Sequence, residues 1–262
     1  RESSPGNMLD KNAILQHIQE PEKITMLRHI LDLPEIASRN YRAADSDFLD
    51  PYEQRLVESI CHHFPDVEVK FFPEGERERK IVVFSPPYFD SEESVVALKL
   101  SINDEVSHRD VLGSILSLGI ERNKIGDIVM EDAIYIFVKR EIANFIMVSL
   151  TKVKRQPVKV EPVSLEEVPV PKEPWIKNTA VVQSMRLDSV IRAVTHLSRD
   201  EVQGRIGKGL VKVNFKEIKK SHEDIRPGDL LSVRGFGRIA IFDDMATTKK
   251  GKVRFTYGTL EQ

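Results

Sequence analysis

The sequence predicts an α+β protein with a basic segment at its C-terminal end. Segments with helical spacing of apolar residues mix irregularly with short strand-like runs, which is typical of the α+β class. A stretch rich in proline divides the chain near residue 170. From Trp175 onward the chain carries 17 Lys and Arg against 10 Asp and Glu, a net charge of +7, whereas the preceding residues carry 22 against 31, a net charge of -9. This asymmetry predicts a polyanionic partner for the C-terminal segment.

The composition excludes several classes of protein. A chain of 262 residues with 40% hydrophobic and 31% charged residues is typical of a soluble globular protein with two or three compact units. No apolar run approaches the roughly 20 residues that cross a bilayer, so we predict no membrane partner. Cys61 is the one cysteine, which excludes an intramolecular disulfide and a thiolate zinc cluster and fits a reducing compartment. Residues 1–7 lack the apolar core of a secretory signal, and we expect the chain to start at Met8.

The N-terminal segment, residues 8–46, is predicted to be helical. Within residues 12–40 the apolar side chains recur at intervals of three and four, which indicates two short helices. Another helix is expected just beyond the segment, because Asp50 is a favourable N-cap, Pro51 suits the first helical position and Glu53 completes a capping box.

Residues 47–163 are predicted to form an α+β domain. Alternation of Val67, Val69 and Phe71 with charged residues indicates a half-buried strand. Further strands are predicted over residues 81–84, 95–102, 127–130 and 133–138, and helices over residues 110–118 and 141–150. The side chains of the last helix that we expect to face mostly inward are Ile142, Phe145, Ile146 and Val148.

A proline-rich stretch separates this domain from the basic segment. Pro169, Pro171 and Pro174 lie close together among few large apolar residues, which is typical of a semi-rigid linker. We place the linker at residues 164–182, a small basic module at residues 183–243 and a C-terminal hairpin at residues 244–262.

The basic module combines two short helices with a small sheet. One helix opens at Arg186, and the second begins at a capping box formed by Ser198 and Glu201. Alternation over residues 210–214 indicates a strand, and a turn at residues 227–229 leads into another strand. The cations on the polar faces of these elements are Arg186, Arg199, Arg205, Lys208, Lys212, Lys216, Arg234 and Arg238.

The order and spacing of these elements resemble the S4 RNA-binding domain over residues 183–242. The resemblance is carried by Arg186-Leu187-Asp188, Ser198-Arg199, Gly209-x-Val211-x-Val213-Asn214, Gly228-Asp229 and Val233-Arg234-Gly235. It implies that the two-helix face and the following strand contact folded RNA, mainly its backbone and shape. The predicted RNA-binding residues are therefore the eight cations and Asn214. Asp188 and Asp200 are expected to orient neighbouring arginines, Phe215 stands where S4 domains usually have glycine, and Gly204 lies inside the second helix.

A wider resemblance covers most of the chain from Asp47 onward. The runs DFLDP at residues 47–51, SHRDVLGSILSLG at residues 107–119 and KIGDI at residues 124–128 are similar to the bacterial YlmH family. Its members join an RRM-like N-terminal domain to a C-terminal S4 domain. The resemblance implies a ribosome-associated quality-control factor that binds rRNA, and peptidyl-tRNA, on the large ribosomal subunit. We expect no cofactor and no small-molecule substrate, and a bacterial cytoplasmic location with an organelle of bacterial descent as the alternative.

Residues 107–110 leave two interpretations open. His108-Arg109-Asp110 matches a triplet of kinase catalytic loops, but the sequence has no accompanying glycine-rich phosphate loop, strand lysine or Asp-Phe-Gly motif. In the structural interpretation, Ser107 caps the helix and Asp110 supports its first turn. In the functional one, His108 and Arg109 form a secondary RNA contact at an exposed helix start.

Two other groups of residues have the composition of a binding site. Cys61-His62-His63 suggests a metal, but three adjacent residues on a helix cannot all face one ion, so we predict no metal site. RRM domains stack bases on exposed aromatic residues of the central strands. Most of the candidate positions are also needed for a core, so protein contact is as well supported as RNA contact in this domain. These candidates are Phe71, Phe72, Phe84, Tyr135 and Phe137.

The sequence predicts binding rather than catalysis. S4 domains also occur in pseudouridine synthases, tyrosyl-tRNA synthetases and methyltransferases. The catalytic aspartate domain, nucleotide-binding fold or glycine-rich cofactor loop that those enzymes need is not visible in this sequence. We therefore expect a non-catalytic RNA-binding protein. The alternative is a protein-interaction adaptor, related to cell division, whose RNA binding is incidental.

Overall fold

The structure is a computed structural model that describes residues 10–89, 94–172 and 175–260. It divides into two compact units, the first ending at Pro171 and the second beginning at Lys172. Both units combine helices with antiparallel sheets, which confirms the α+β class. The expected start at Met8, linker residues 173–174 and hairpin residues 261–262 lie outside the described residues. Among the described helices, none has the length and apolar character of a membrane span.

The first half of the first unit packs helices against a small sheet. Its elements are α1 (Lys11–Ile14), α2 (Pro21–Asn40), β1 (Ala44–Asp45), α3 (Pro51–Ile60), β2 (Glu68–Phe72) and β3 (Ile81–Ser85). The strands run antiparallel in the order β1-β3-β2, and Leu27, Val57 and Phe84 belong to the core of this half. The predicted capping box is confirmed, because the Asp50 carboxylate accepts a hydrogen bond from the Glu53 N–H at 2.8 Å. Helix α2 has 20 residues, where the sequence predicts a short helix.

The second half of the first unit is a four-stranded antiparallel sheet with two helices. Its elements are β4 (Val95–Ser101), α4 (His108–Leu116), β5 (Ile125–Met130), β6 (Ile134–Lys139), α5 (Arg140–Ser149), β7 (Lys152–Val153), β8 (Gln156–Pro157) and β9 (Lys159–Val163). The sheet order β5-β6-β4-β9 places the first and third of its strands in the centre. This is the β-α-β-β-α-β order shared by ferredoxin-like and RRM domains. The sequence assigns residues 47–89 to the same domain as this sheet, whereas in the structure they belong to the first half of the unit.

Helix α5 corrects the expected orientation of two side chains. The sequence predicts that Phe145 and Val148 face inward, but their side chains are 49% and 79% exposed. Ala143 and Ile146 are the buried residues of this helix. Because α5 begins directly after β6, with Lys139 as its N-cap, the short connection fixes which face of the helix meets the sheet.

The second unit is a six-stranded antiparallel sheet with two helices on one face. Its elements are β10 (Ile176–Val182), α6 (Leu187–Thr195), α7 (Arg199–Gly207), β11 (Val211–Val213), β12 (Lys216–Glu217), β13 (Leu230–Val233), β14 (Gly237–Thr247) and β15 (Val253–Thr259). The sheet order is β10-β15-β14-β13-β11-β12. Ile191 of α6 and Ile206 of α7 share a core with Val211, Leu231 and Ile239 of the sheet.

Two predicted segments are parts of this sheet. Residues 176–182 of the expected linker form β10, which pairs along its whole length with β15. The expected C-terminal hairpin is continuous with the basic module, because β14 begins at Gly237 and runs through Thr247. Most side chains of β10 are exposed, so the strand shows no apolar alternation and its backbone pairing is invisible in the local sequence.

Candidate nucleic-acid interface

Helix α7 presents two of the predicted RNA-binding cations. It begins at the predicted capping box: the Ser198 hydroxyl accepts from the Glu201 N–H at 3.2 Å, and the Glu201 carboxylate accepts from the Ser198 N–H at 2.9 Å. The hydrogen bond from the Ser198 backbone is the main reason that the pKa of Glu201 is lowered. Arg199 and Lys208 lie at opposite ends of the helix, both exposed. At nine residues apart they are separated by roughly 14 Å along the helix axis and, at 3.6 residues per turn, leave the helix on opposite sides.

A hydrogen-bond network around Asp188 joins α6 to α7. The buried Asp188 carboxylate accepts from Nε and Nη2 of Arg186 at 3.2 and 2.9 Å, and from Nε2 of Gln203 on α7 at 3.1 Å. Gln203 Oε1 in turn accepts from the Ser221 hydroxyl at 2.6 Å. The prediction that Asp188 orients a neighbouring arginine is confirmed. The Arg186 guanidinium therefore lies against the Asp188 carboxylate at the start of α6.

Arg205 holds α7 to the turn between β13 and β14. Its Nη1 donates a hydrogen bond to the backbone carbonyl of Arg234. The turn continues through Gly235, which has a φ of +89° and whose added Cβ would lie 2.7 Å from Arg205 Nη1. The positive φ favours glycine there, whereas the end of the flexible Arg205 side chain could move to admit a Cβ. Arg205 thus has a structural role, and its contact with RNA stays a prediction.

Asn214 and Phe215 form the turn between β11 and β12. Both have positive φ values, +49° and +68°, as the two central residues of a type I′ hairpin turn do. This backbone explains why glycine is usual at the position of Phe215. Nδ2 of Asn214 donates to Asp229 Oδ1 at 2.9 Å, and its Oδ1 accepts from the Leu230 N–H at 2.9 Å. Hydrogen bonds from Asn214 to RNA stay a prediction.

We expect Asn214→Ala to lower the free energy of unfolding by about 2 kcal/mol, because alanine loses both hydrogen bonds and adopts a left-handed backbone less readily. Trp175 is the one tryptophan of the chain and lies in this unit, so its fluorescence during urea denaturation measures the change. Asn214→Gly keeps the backbone freedom and should cost less. Equal stability of the wild type and Asn214→Ala would contradict the structural role.

The strand cations point away from the two helices. Lys212, Ser232 and Arg238 are register partners on three neighbouring strands, so their side chains share one face of the sheet. The alternate residues of these strands lie in the core with α6 and α7. The predicted row of cations is therefore divided between a helix surface, with Arg199 and Lys208, and a sheet surface, with Lys212 and Arg238. Lys216 on β12 and Arg234 in the turn after β13 are also exposed.

The face of the four-stranded sheet that is opposite to α4 and α5 is covered. Tyr135 and Phe137 are buried on this face, although RRM recognition would need them exposed. Gly126 permits the close cover, because an added Cβ would lie 2.6 Å from the Phe48 ring. The covering side chains from the first half of the unit include Phe48, Ile81 and Val83. The remaining aromatic candidates, Phe71, Phe72 and Phe84, are half-buried or buried.

The start of α4 is an exposed alternative to the covered sheet face. The Ser107 hydroxyl accepts from the Asp110 N–H at 3.1 Å, and Asp110 accepts from the Ser107 N–H at 2.8 Å, which confirms the structural interpretation of these two residues. With Lys154 Nζ at 3.0 Å, these bonds hold the pKa of Asp110 at about 2, the Ser107 backbone contributing most. His108 and Arg109 are exposed beside them. Lys154 and the neighbouring Arg155 follow this helix start by more than 40 residues in the chain, so no local sequence pattern predicts that Lys154 contacts Asp110.

The Cys61-His62-His63 run forms a 3-10 turn after α3. Sγ of Cys61 donates to the carbonyl of Val57 at 3.1 Å, and burial raises the pKa of the thiol to about 11. Within residues 10–89, 94–172 and 175–260, no three His, Cys, Asp or Glu side chains converge as metal ligands would.

The order β-α-β-β-α-β followed by a basic two-helix unit defines an α+β protein whose second unit suits a polyanionic partner. Comparison with known proteins identifies the family. Over 252 residues the chain is 33% identical to "Ribosome-associated protein quality control protein P2" of Bacillus subtilis (strain 168), a match that covers 93% of this chain and 97% of that protein. The family model described as "Putative RNA-binding domain in YlmH" matches residues 101–167. The chain belongs to the YlmH family, as its resemblance predicts.

A solved structure supports the fold. "Cell division protein ylmH from Streptococcus pneumoniae" matches with a TM-score of 0.50 and 20% sequence identity. The match covers 58% of this chain and 97% of that chain. At this identity the similarity bears on the fold alone.

Proposed function

We propose that this protein binds rRNA on the large ribosomal subunit, and peptidyl-tRNA held there, and acts in rescue or quality control of stalled translation. The observation that carries the proposal is the exposed pair Arg199 and Lys208 on α7, in a C-terminal segment with a net charge of +7. The relative named as a ribosome-associated quality control protein and the family model named for RNA binding support it. The site acts in the bacterial cytoplasm, or in an organelle of bacterial descent.

The helix surface binds in the manner of an S4 domain, without catalysing a reaction and without a cofactor. Arg199 and Lys208 neutralise phosphates and release condensed counterions, so affinity falls steeply as salt rises. The Asp188 network orders Arg186 before binding, which reduces the conformational entropy that binding costs.

The first unit adds a second contact at the start of α4. Its sheet face is covered, so base stacking on Tyr135 and Phe137 is not available in this conformation. His108, Arg109 and Arg155 are exposed cationic or titratable side chains of the same half-unit. Once one of the two contacts has formed, the other is held near the same ribosome at a high effective concentration, so the overall affinity rises.

Co-sedimentation with purified large ribosomal subunits, with and without peptidyl-tRNA, tests this proposal across a salt series. We expect binding that weakens steeply between about 50 and 200 mM salt and is strengthened by peptidyl-tRNA. Binding that persists at high salt would favour the adaptor alternative, which the exposed Phe145 and Val148 on α5 also fit. No binding at low salt would overturn the ribosomal proposal.

A further inference from the structure

The loop between β14 and β15 is the most basic short segment of the second unit. The eight residues from Thr247 to Arg254 include four cations and no acid. Lys249, Lys250 and Arg254 are exposed, and Lys252 is half-buried. In the part of the chain that the structure describes, no carboxylate pairs with any of the four. We call these four residues the basic tip.

The backbone of this loop is fixed by hydrogen bonds. The N–H of Thr248 donates to the Lys252 carbonyl at 2.7 Å, and the N–H of Lys252 donates to the Thr248 hydroxyl at 3.1 Å. Gly251 donates to the Thr248 carbonyl at 2.9 Å and has a φ of +77°, a conformation that suits glycine. The four cations therefore stand on a preorganised turn, and little backbone entropy is lost when they bind a partner.

An open concavity of about 570 Å³ lies beside the basic tip. Val181 of β10, which is 44% exposed, and Ala246 supply its apolar surface. The hydroxyls of Thr247 and Thr248 and the four cations supply its polar surface, and no carboxylate lines it. Cations with neighbouring hydroxyl donors suit phosphate oxygens, whereas the apolar surface suits a ribose or base.

The basic tip lies at the opposite end of β14 from the residues that pair with β13. Strand β14 pairs with β13 from Gly237 to Ala240, and from Met245 to Thr247 it is paired with β15. At the usual rise per residue, and allowing for the register shift between Ile241 and Met245, the tip lies on the order of 20 Å along the sheet from Arg238. Neutralising the tip would leave α7 and its capping box untouched.

We propose that the basic tip is a second binding site for the RNA phosphate backbone, separate from the helix surface. This inference rests on the proposed function, because it takes RNA as the partner. The tip reads no sequence, since lysines that contact phosphates strengthen binding to all RNA sequences alike. An RNA that reaches both sites is held at two points, which increases its overall affinity without a new base contact.

The full-length variant Lys249→Gln with Lys250→Gln tests the inference against purified large ribosomal subunits and a 40-nucleotide RNA hairpin. We expect the affinity of the subunits to fall and the slope of log affinity against log salt to become less steep by about two. Lys249→Arg with Lys250→Arg should retain wild-type affinity, because it keeps both charges. Lys219→Gln with Lys220→Gln removes the same charge from exposed lysines outside the tip and should change the slope less.

The results separate two kinds of failure. The inference would be overturned if the Lys249→Gln and Lys250→Gln variant had the wild-type slope of log affinity against log salt. It would also be overturned if the Lys219 and Lys220 variant showed an equal change. In both cases the wild type would still bind RNA. If the wild type itself bound neither subunits nor hairpin, the proposed function would fail instead. Reduced binding to anionic phosphatidylglycerol vesicles with unchanged RNA binding would assign the tip to a membrane surface and overturn the inference. Trp175 fluorescence during urea denaturation should be the same in all variants.

Discussion

Replacing Arg199 and Lys208 together by alanine is expected to weaken RNA binding about 100-fold at moderate salt, because each lost phosphate contact costs roughly tenfold. Both side chains are exposed at opposite ends of α7. Alanine is a strong helix former, and the capping box of Ser198 and Glu201 remains intact, so the fold should be retained. Filter binding across a salt series measures the loss and its dependence on ionic strength.

A matched control removes the same charges elsewhere in the second unit. Lys220 and Arg226 are both exposed and lie outside α7. The variant Lys220→Ala with Arg226→Ala should weaken binding far less than the α7 variant. Unchanged binding in the α7 variant, or an equal loss in the control, would show that RNA does not contact the helix surface.

Replacing Asp45 by alanine is expected to lower the free energy of unfolding by about 3 kcal/mol. The Lys139 side chain at the end of β6 is only 6% exposed, and its Nζ donates to Asp45 Oδ1 at 2.5 Å and to the Ser46 carbonyl at 2.8 Å. Without Asp45, the lysine charge would stay buried with no opposite charge. Urea denaturation followed by far-UV circular dichroism measures the change.

The partner substitution should be less costly than the loss of Asp45. Lys139→Met removes the buried charge itself and fills similar space, whereas Asp45 is 30% exposed and can be hydrated. Asp66→Ala serves as an exposed control of the same chemistry and should change stability little. If Lys139→Met proved more destabilising than Asp45→Ala, the desolvated lysine would not be the source of the effect.

Local patterns predicted the helix starts correctly. Asp50, Ser107 and Ser198 each cap a helix through a residue three positions later, so the whole interaction lies within four residues of sequence. The Arg186 and Asp188 pair is equally local. Wider resemblance identified the YlmH family, which the 33% identity to a family member over most of the chain confirms.

Contacts between distant residues could not be predicted from the same patterns. Strand β10 is defined by backbone pairing with β15, and Phe48 covers Phe137 from a position 89 residues earlier in the chain. Alternation along β11 showed that Lys212 and Val213 face opposite ways but not which face α7 covers. For this reason the sequence predicts a single row of cations, whereas the structure divides these cations between a helix surface and a sheet surface.

Because the sheet face is covered, the two halves of the first unit depend on each other to bury their side chains. The part that matches the family model starts at residue 101, at the last residue of β4, yet β4 is the strand that joins β6 to β9. A polypeptide limited to residues 101–167 would lack that central strand and would leave Tyr135 and Phe137 without the side chains that shield them from water. We therefore expect the second half to fold fully only when the first half is present in the same polypeptide, although the second half alone has the β-α-β-β-α-β order.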